Sequence, residues 1–215
     1  MLFFDIETLD FFDDPAIAAL PRAQQLAVLR FGVAVTYDDA ADLWKEWYWP
    51  SVPALWQYMI GHDLCGWNIV AFDLPVIHYN LSRRFNYPAA DLDPLGAVVD
   101  LFGDIRWATN RWYKLGVVAE ANLGRGKIAH GQQAAEWLRS GDMDQWRKAA
   151  EYCRDDVQLV VDLWRKLERG EPLLLPPRPE RDEADELRFT YETTLTQMIQ
   201  KRRPRRYGQD DEANR

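Results

Sequence analysis

The chain has 215 residues and a mass of 25.1 kDa, with 34 acids against 26 bases for a net charge of −8. Hydrophobic residues make 47% and charged residues 28%, which excludes global disorder, and no apolar run approaches the ~18 residues that span a bilayer. Two cysteines, Cys65 and Cys153, are too few for a disulfide framework or a zinc cage, and the opening MLFFDIETLD lacks the basic stretch of a secretory signal.

The expectation is a soluble, cytoplasmic protein with no membrane contact. The acidic balance argues against coating nucleic acid by bulk electrostatics. It leaves room for a local grip on a short strand, and it suits a site that needs several carboxylates.

In chain order, MLFFDI (1–6) reads as a buried strand. Residues 9–25, with Asp10, Asp13, Asp14, Pro15 and Pro21, read as an acidic loop holding at most one helical turn. LAVLRFGVAVTYD (26–38) and DLWKEWYW (42–49) read as two strands close enough for a hairpin. A helix follows over 53–61, then a strand at DLCGWN (63–68) and a helix over 73–85 with Pro75 in its first turn. GAVVDLF (96–102) reads as a fifth strand, and helices are predicted at roughly 111–121, 131–139 and 142–168. This order predicts an α/β fold, a mixed sheet flanked by helices. The Pro-rich, charged stretch 170–186, a short helical segment and KRRPRR (201–206) read as a C-terminal appendage, the last fifteen residues carrying 6 bases against 3 acids. The expected domain is thus 1–169, with an extension over 170–215.

Three segments carry chemistry. Asp5 and Glu7 are at i and i+2 of a strand and project to one face, a poor core and a good clamp for a hard divalent cation. In CGWNIVAFDLPVI (65–77), a strand delivers Asn68 and a tight loop leads to Phe72 and Asp73 at a helix N-terminus. There Asp73 is a natural N-cap that could still face the site, and Asn68 suits either its own loop backbone or a substrate phosphate. In EYCRDDVQLVVDLW (151–164), Tyr152 and Asp156 share a helix face beside an apolar stripe, an expensive place for an unpaired carboxylate that a cation would neutralise.

Together FDIET, GWNIVAFDLP and YCRDDV resemble the three exonuclease motifs of the DEDD superfamily. Tyr152 four residues before Asp156 is similar to the tyrosine (DEDDy) subclass of the proofreading domains of family B DNA polymerases and their stand-alone relatives. LGVVAEANLGRGK (115–127) resembles the helix and lysine that precede the third motif there. The resemblance covers about residues 1–168. It implies a ribonuclease H-like mixed five-stranded sheet with the first three strands antiparallel. It also implies 3′→5′ exonuclease action with two divalent metal ions, Mg²⁺ or Mn²⁺, releasing 5′-mononucleotides from single-stranded 3′ ends. DNA is slightly favoured over RNA.

By the same resemblance Asp5 bridges both cations. Glu7 and Asp156 complete the shell on the nucleophile side, Asp73 holds the second cation through water, and Tyr152 orients the attacking water. Asp155 does not suit the pattern, because Glu151 stands four before it. Thr8 and Leu9, after the first motif, are expected at the terminal nucleotide, and Phe72 against its sugar or base or as an anchor of its own loop. Asp100, at a strand end, suits either support of the site or a helix cap.

Of ten tryptophans, most are expected in the core. Trp107 and Trp112 flank Arg106, Asn110 and Arg111, a pattern also able to stack single-stranded bases. His62, His78 and His130 have no ligand spacing. Three alternatives stay open: a structure-selective endonuclease, an RNA-trimming exoribonuclease on the same fold, and a non-catalytic nucleic-acid-binding module. A separate polymerase or helicase chain is an open partner.

Overall fold

A computed structural model describes residues 1–87, 96–128, 131–176 and 185–187. Its centre is a five-stranded sheet in the order β3-β2-β1-β4-β5, built from β1 (Leu2–Thr8), β2 (Phe31–Asp38), β3 (Leu43–Tyr48), β4 (Leu64–Gly66) and β5 (Val98–Asp100). β1, β2 and β3 are mutually antiparallel, whereas β4 and β5 run parallel to β1. The helices are α1 (Pro15–Ala18), α2 (Arg22–Val28), α3 (Val52–Met59), α4 (Asp73–Arg84), α5 (Leu101–Thr109), α6 (Leu115–Leu123), α7 (Gly131–Arg139) and α8 (Met143–Glu168). The expected α/β architecture, with its antiparallel opening, is the observed one.

β1 lies in the middle of the sheet, so both of its faces are covered and its sequence is nearly continuous in apolar residues. Leu2, Phe4 and Ile6 face one layer with Trp56, Ile77 and Leu81 from α3 and α4. Phe3 faces the other, with Val157, Val160, Val161 and Trp164 of α8. The period of two therefore places Asp5 and Glu7 on the α8 side, where the apolar stripe of β1 gives way to carboxylates.

Several boundaries differ from the sequence reading. Leu26, Ala27 and Val28 end α2 instead of opening β2; a three-residue apolar run carries no period that separates helix from strand. The acidic loop holds two short helices, not one turn. β5 stops at Asp100, which caps α5 at once by accepting from Gly103 N at 3.1 Å. That cap turns 101–102, expected as strand, into helix.

Leu173 and Leu175, placed by sequence in the appendage, are fully buried against the α8 face. They belong to β6 (Leu173–Leu175), which pairs with β7 (Asp185–Leu187) and is held by both amide atoms of Asn122 on Leu174 at 2.7 Å. The helical segment and the KRRPRR stretch expected beyond residue 187 lie outside the described residues, as does His130. Among the described residues no helix is long and apolar enough to cross a membrane.

Candidate active site at a buried carboxylate cluster

The end of β1 and the middle of α8 meet at one wall of a cleft of about 560 Å³. Among the described residues, Asp5, Glu7 and Asp156 form a group whose ligand oxygens all lie within 4.8 Å of one another. The register of β1 against β2 shifts between Glu7 and Thr8. The extra residue is Gly32 of β2, left without a partner between Val33 and Phe31, so β2 is the strand that bends. Gly32 also lets β2 come close: a Cβ there would sit 2.9 Å from the Glu7 carbonyl oxygen and 2.5 Å from Leu138 Cδ1.

Asp156 is 1% exposed. One of its oxygens forms an ion pair with Lys127. The other, Oδ1, is buried without a hydrogen-bond partner among the described residues. A buried carboxylate oxygen in that state is costly, and Asp156 belongs to an all-oxygen donor set of the kind that hard divalent cations take. The residues present therefore fit a metal ion.

Asp73 is the first residue of α4, not its cap; Phe72 holds the cap position. The Asp73 carboxylate accepts from Ile6 N at 3.0 Å, tying α4 to β1 between the two acidic residues of the strand. It lines the same cleft but stands outside the group of three. Asp155 is turned towards Arg125, 3.3 Å away, and is not part of the group.

The electrostatics follow from crowding Asp5, Glu7 and Asp156 near one ammonium, with Asp73 beside Asp5. Burial, then the charge of Asp156, pushes Asp5 up to about 7 against the pull of Lys127 and the Cys153 thiol. Burial and Asp5 raise Glu7 well above the usual carboxylate range, and the same two causes raise Asp73. Burial lifts Asp156 to about 6, with Lys127 holding it down. Burial opposes the Lys127 ammonium, yet Asp156 and Asp5 outweigh it and raise its pKa. With every carboxylate ionised the cluster carries an excess of negative charge that divalent cations would offset.

Tyr152, one turn before Asp156, is 1% exposed and accepts a hydrogen bond from Lys127 Nζ at 3.0 Å. Burial and the Asp156 charge raise its phenol above the ordinary value, so it stays neutral at working pH. Lys127 itself was recognisable only as part of a motif-like stretch. Its place depends on glycines: a Cβ on Gly116 would meet Lys127 Cγ at 3.1 Å, and one on Gly126 would meet the Gly116 carbonyl oxygen at 3.2 Å.

The other anticipated residues divide. Thr8 lines the cleft, with its hydroxyl donating to the Asp10 carbonyl at 2.8 Å. Asn68 lines it in a left-handed conformation, φ 65°, and its backbone N donates to Asp100 at 2.8 Å. Asp100 also accepts from Val70 N at 3.0 Å, so it both caps α5 and fixes the Asn68 loop. Phe72 lines the cleft and meets Phe12 edge-on, with centroids 5.7 Å apart.

Leu9 is not among the cleft-lining residues. It packs beside Val33, Leu138 and Ala149, and Arg139 takes its carbonyl. In its place the acidic loop brings Phe11 and Phe12 to the cleft. That loop is pinned by Arg30 on Asp10 and by Arg139 on Asp14. Trp67, Lys114 and Gln132 line the cleft too, none with a sequence spacing that announces it.

A family model, RNase_H_2 of the RNase_H superfamily, matches residues 2–168, from the first strand to the end of α8. No curated protein matches the chain.

Proposed function

Because the chain belongs to the ribonuclease H superfamily, whose nucleases use divalent metals, we propose that it is a DEDDy-type 3′→5′ exonuclease that releases 5′-mononucleotides from single-stranded ends, with DNA slightly preferred over RNA. The observation that carries this reading is the convergence of Asp5, Glu7 and Asp156, whose ligand oxygens lie within 4.8 Å of one another, with one Asp156 oxygen buried and unpartnered among the described residues. The proposed catalytic residues all lie within 1–169, and β6 completes the core beneath them.

Asp5, Glu7 and Asp156 would hold one cation, and Asp73, through water, would help hold a second together with Asp5. Bound cations neutralise phosphate charge, make water acidic enough to attack, and stabilise the departing 3′ oxygen. The chain's own groups do the rest. Tyr152 stays protonated and orients the attacking water. Lys127 donates to the phenol oxygen, and the phenol hydrogen-bonds the Asp156 carboxylate, which fixes its position beside the site. Asn68 and Thr8 position the terminal nucleotide, and Phe72 with Phe12 presents ring edges and faces to its base.

The test is digestion of matched 5′-labelled DNA and RNA oligomers with Mg²⁺ or Mn²⁺, beside a circular single strand. A ladder shortening from the 3′ end with an intact circle supports the reading. Cleavage of the circle points to an endonuclease, and a ladder from RNA alone to an exoribonuclease.

A further inference from the structure

Residues 105–114, IRWATNRWYK, carry three bases and no acid in a chain of net charge −8. The segment spans the end of α5, a left-handed turn at Asn110 with φ 55°, and the N-cap of α6 at Lys114. Trp107 and Trp112 are 76% and 68% exposed, whereas the other eight tryptophans are buried or half-buried, as expected of most of them. A single exposed apolar side chain is ordinary; two exposed indoles interleaved with guanidiniums are not.

These rings connect to the cleft. Trp67 lines it, and the Trp67 ring lies 6.1 Å from that of Phe102. Phe102 in turn lies 5.2 Å from Trp112. The Arg106 guanidinium stands 3.9 Å from the centre of the Trp112 ring. Lys114, at the other end of the segment, is exposed and lines the cleft as well. The buried Phe102 ring thus supports Trp112 and links it to Trp67 at the cleft, with Arg106 and Lys114 supplying positive charge alongside.

We propose that Trp107, Trp112 and Arg106 form a stacking platform for the upstream nucleotides of the single strand whose 3′ end enters the cleft, an inference that rests on the exonuclease reading above. The occupant follows from chemistry. Every base has a π-face that stacks on an indole without regard to sequence. The phosphodiester carries the charge that three bases without an acid attract, and the platform is continuous with the cleft where the end would be cut. Trp112, held on Phe102 and flanked by Arg106, is pre-positioned, whereas Trp107 extends the surface along the helix.

The experiment measures binding without cleavage. A 5′-fluorescein trithymidylate and a 15-mer of thymidylate are titrated by anisotropy in EDTA and again in Ca²⁺. W107L/W112L keeps apolar bulk but removes both π-faces, and W107F/W112F keeps a ring at each position. Wild type is expected to bind the 15-mer more tightly than the trimer, with its intrinsic tryptophan fluorescence quenched. W107L/W112L, shown folded by circular dichroism, is expected to lose about tenfold or more on the 15-mer. It should lose less than about twofold on the trimer, while W107F/W112F retains most of the 15-mer affinity.

An unchanged 15-mer affinity in W107L/W112L, or equal losses on both lengths, overturns the platform. Length- and ring-dependent binding by a protein that cuts nothing with Mn²⁺ supports the platform and overturns the exonuclease reading alone. Absence of binding by wild type overturns both.

Discussion

Lys127 Nζ donates to the Tyr152 phenol at 3.0 Å while the same ammonium forms an ion pair with Asp156. One cation thus joins the two α8 side chains that define the site. The arrangement holds the phenol in a fixed orientation and partly compensates a carboxylate that burial disfavours. Its consequences are measurable.

Replacing Lys127 by Met leaves Asp156 buried without its ammonium. Breaking a fully buried pair costs about 3–5 kcal/mol. Lys127 is 32% exposed at its side chain, so about 1–3 kcal/mol is expected for Lys127→Met in EDTA, and more at pH 8 than at pH 5, where Asp156 can protonate. Mn²⁺ should restore part of the loss. Chemical denaturation with and without the ion measures this; an equal deficit in both would contradict the compensating role.

Stability of the metal-free protein should fall as pH rises. Folding raises Asp5 to about 7 and Asp156 to about 6, and moves Glu7 and Asp73 upward as well. Carboxyls whose folded pKa is raised contribute stability that is full below their unfolded values near 4 and lost as pH climbs through the folded values. The window is therefore about pH 4 to 7. Asp10 and Asp38 act in the opposite sense. Despite burial, hydrogen bonds from Arg30 and from Ala41 and Ala40 lower their pKa values, so their contribution is lost only on acidification below about 4. Urea unfolding in EDTA should give a lower free energy at pH 8 than at pH 5, and Mg²⁺ should narrow that difference. A rise with pH in EDTA would contradict the coupling.

Tyr152→Phe removes only the phenol oxygen. Fold and cation affinity should persist, because the ring remains in the core and the ligand oxygens of Asp5, Glu7 and Asp156 are untouched. Exonuclease kcat should fall by about 10²-fold, at the lower end of the range for a positioned proton-handling group. Single-turnover assays with isothermal titration of Mn²⁺ separate the two effects; loss of cation binding would assign the phenol a different role.

Gly32→Ala tests the close approach of the β2 bulge to β1. The added Cβ meets backbone at Glu7 O and the buried Leu138 side chain, so the strand must shift. A loss of about 1–3 kcal/mol is expected, with exonuclease activity reduced more than stability alone explains because Glu7 moves. Thermal melts and steady-state rates check this; wild-type activity would show that the bulge geometry is dispensable.

What the sequence made legible was whatever a short period encodes. Asp5 with Glu7 and Tyr152 with Asp156 are same-face pairs at spacings of two and four, and each holds its place because a single element positions both members. The site's other parts come from contacts between distant segments. Lys127 reaches Asp156 only because Gly116 and Gly126 let its loop lie against α6. Leu9, adjacent to the first motif, joins the small cluster with Val33 and Leu138 next to the β2 bulge at Gly32. The three leucines of β6 read as tail until Asn122 and α8 supply a surface for them. Trp107 and Trp112, which their flanking arginines mark as able to stack bases, are the two exposed indoles: Trp107 on α5 and Trp112 just after the αL residue Asn110 that ends it.

The central claim is that Asp5, Glu7 and Asp156 act as one cation-holding catalytic set. The most direct measurement follows a 5′-labelled single-stranded 20-mer with Mn²⁺ and identifies the small products by mass spectrometry, for wild type, Asp5→Ala and Asp156→Ala. The account predicts stepwise 3′ shortening with 5′-mononucleotides from wild type, and a rate reduced by about 10³-fold or more in each variant while oligonucleotide binding persists. Full cleavage by either variant, or an intact 20-mer with wild type, would contradict it.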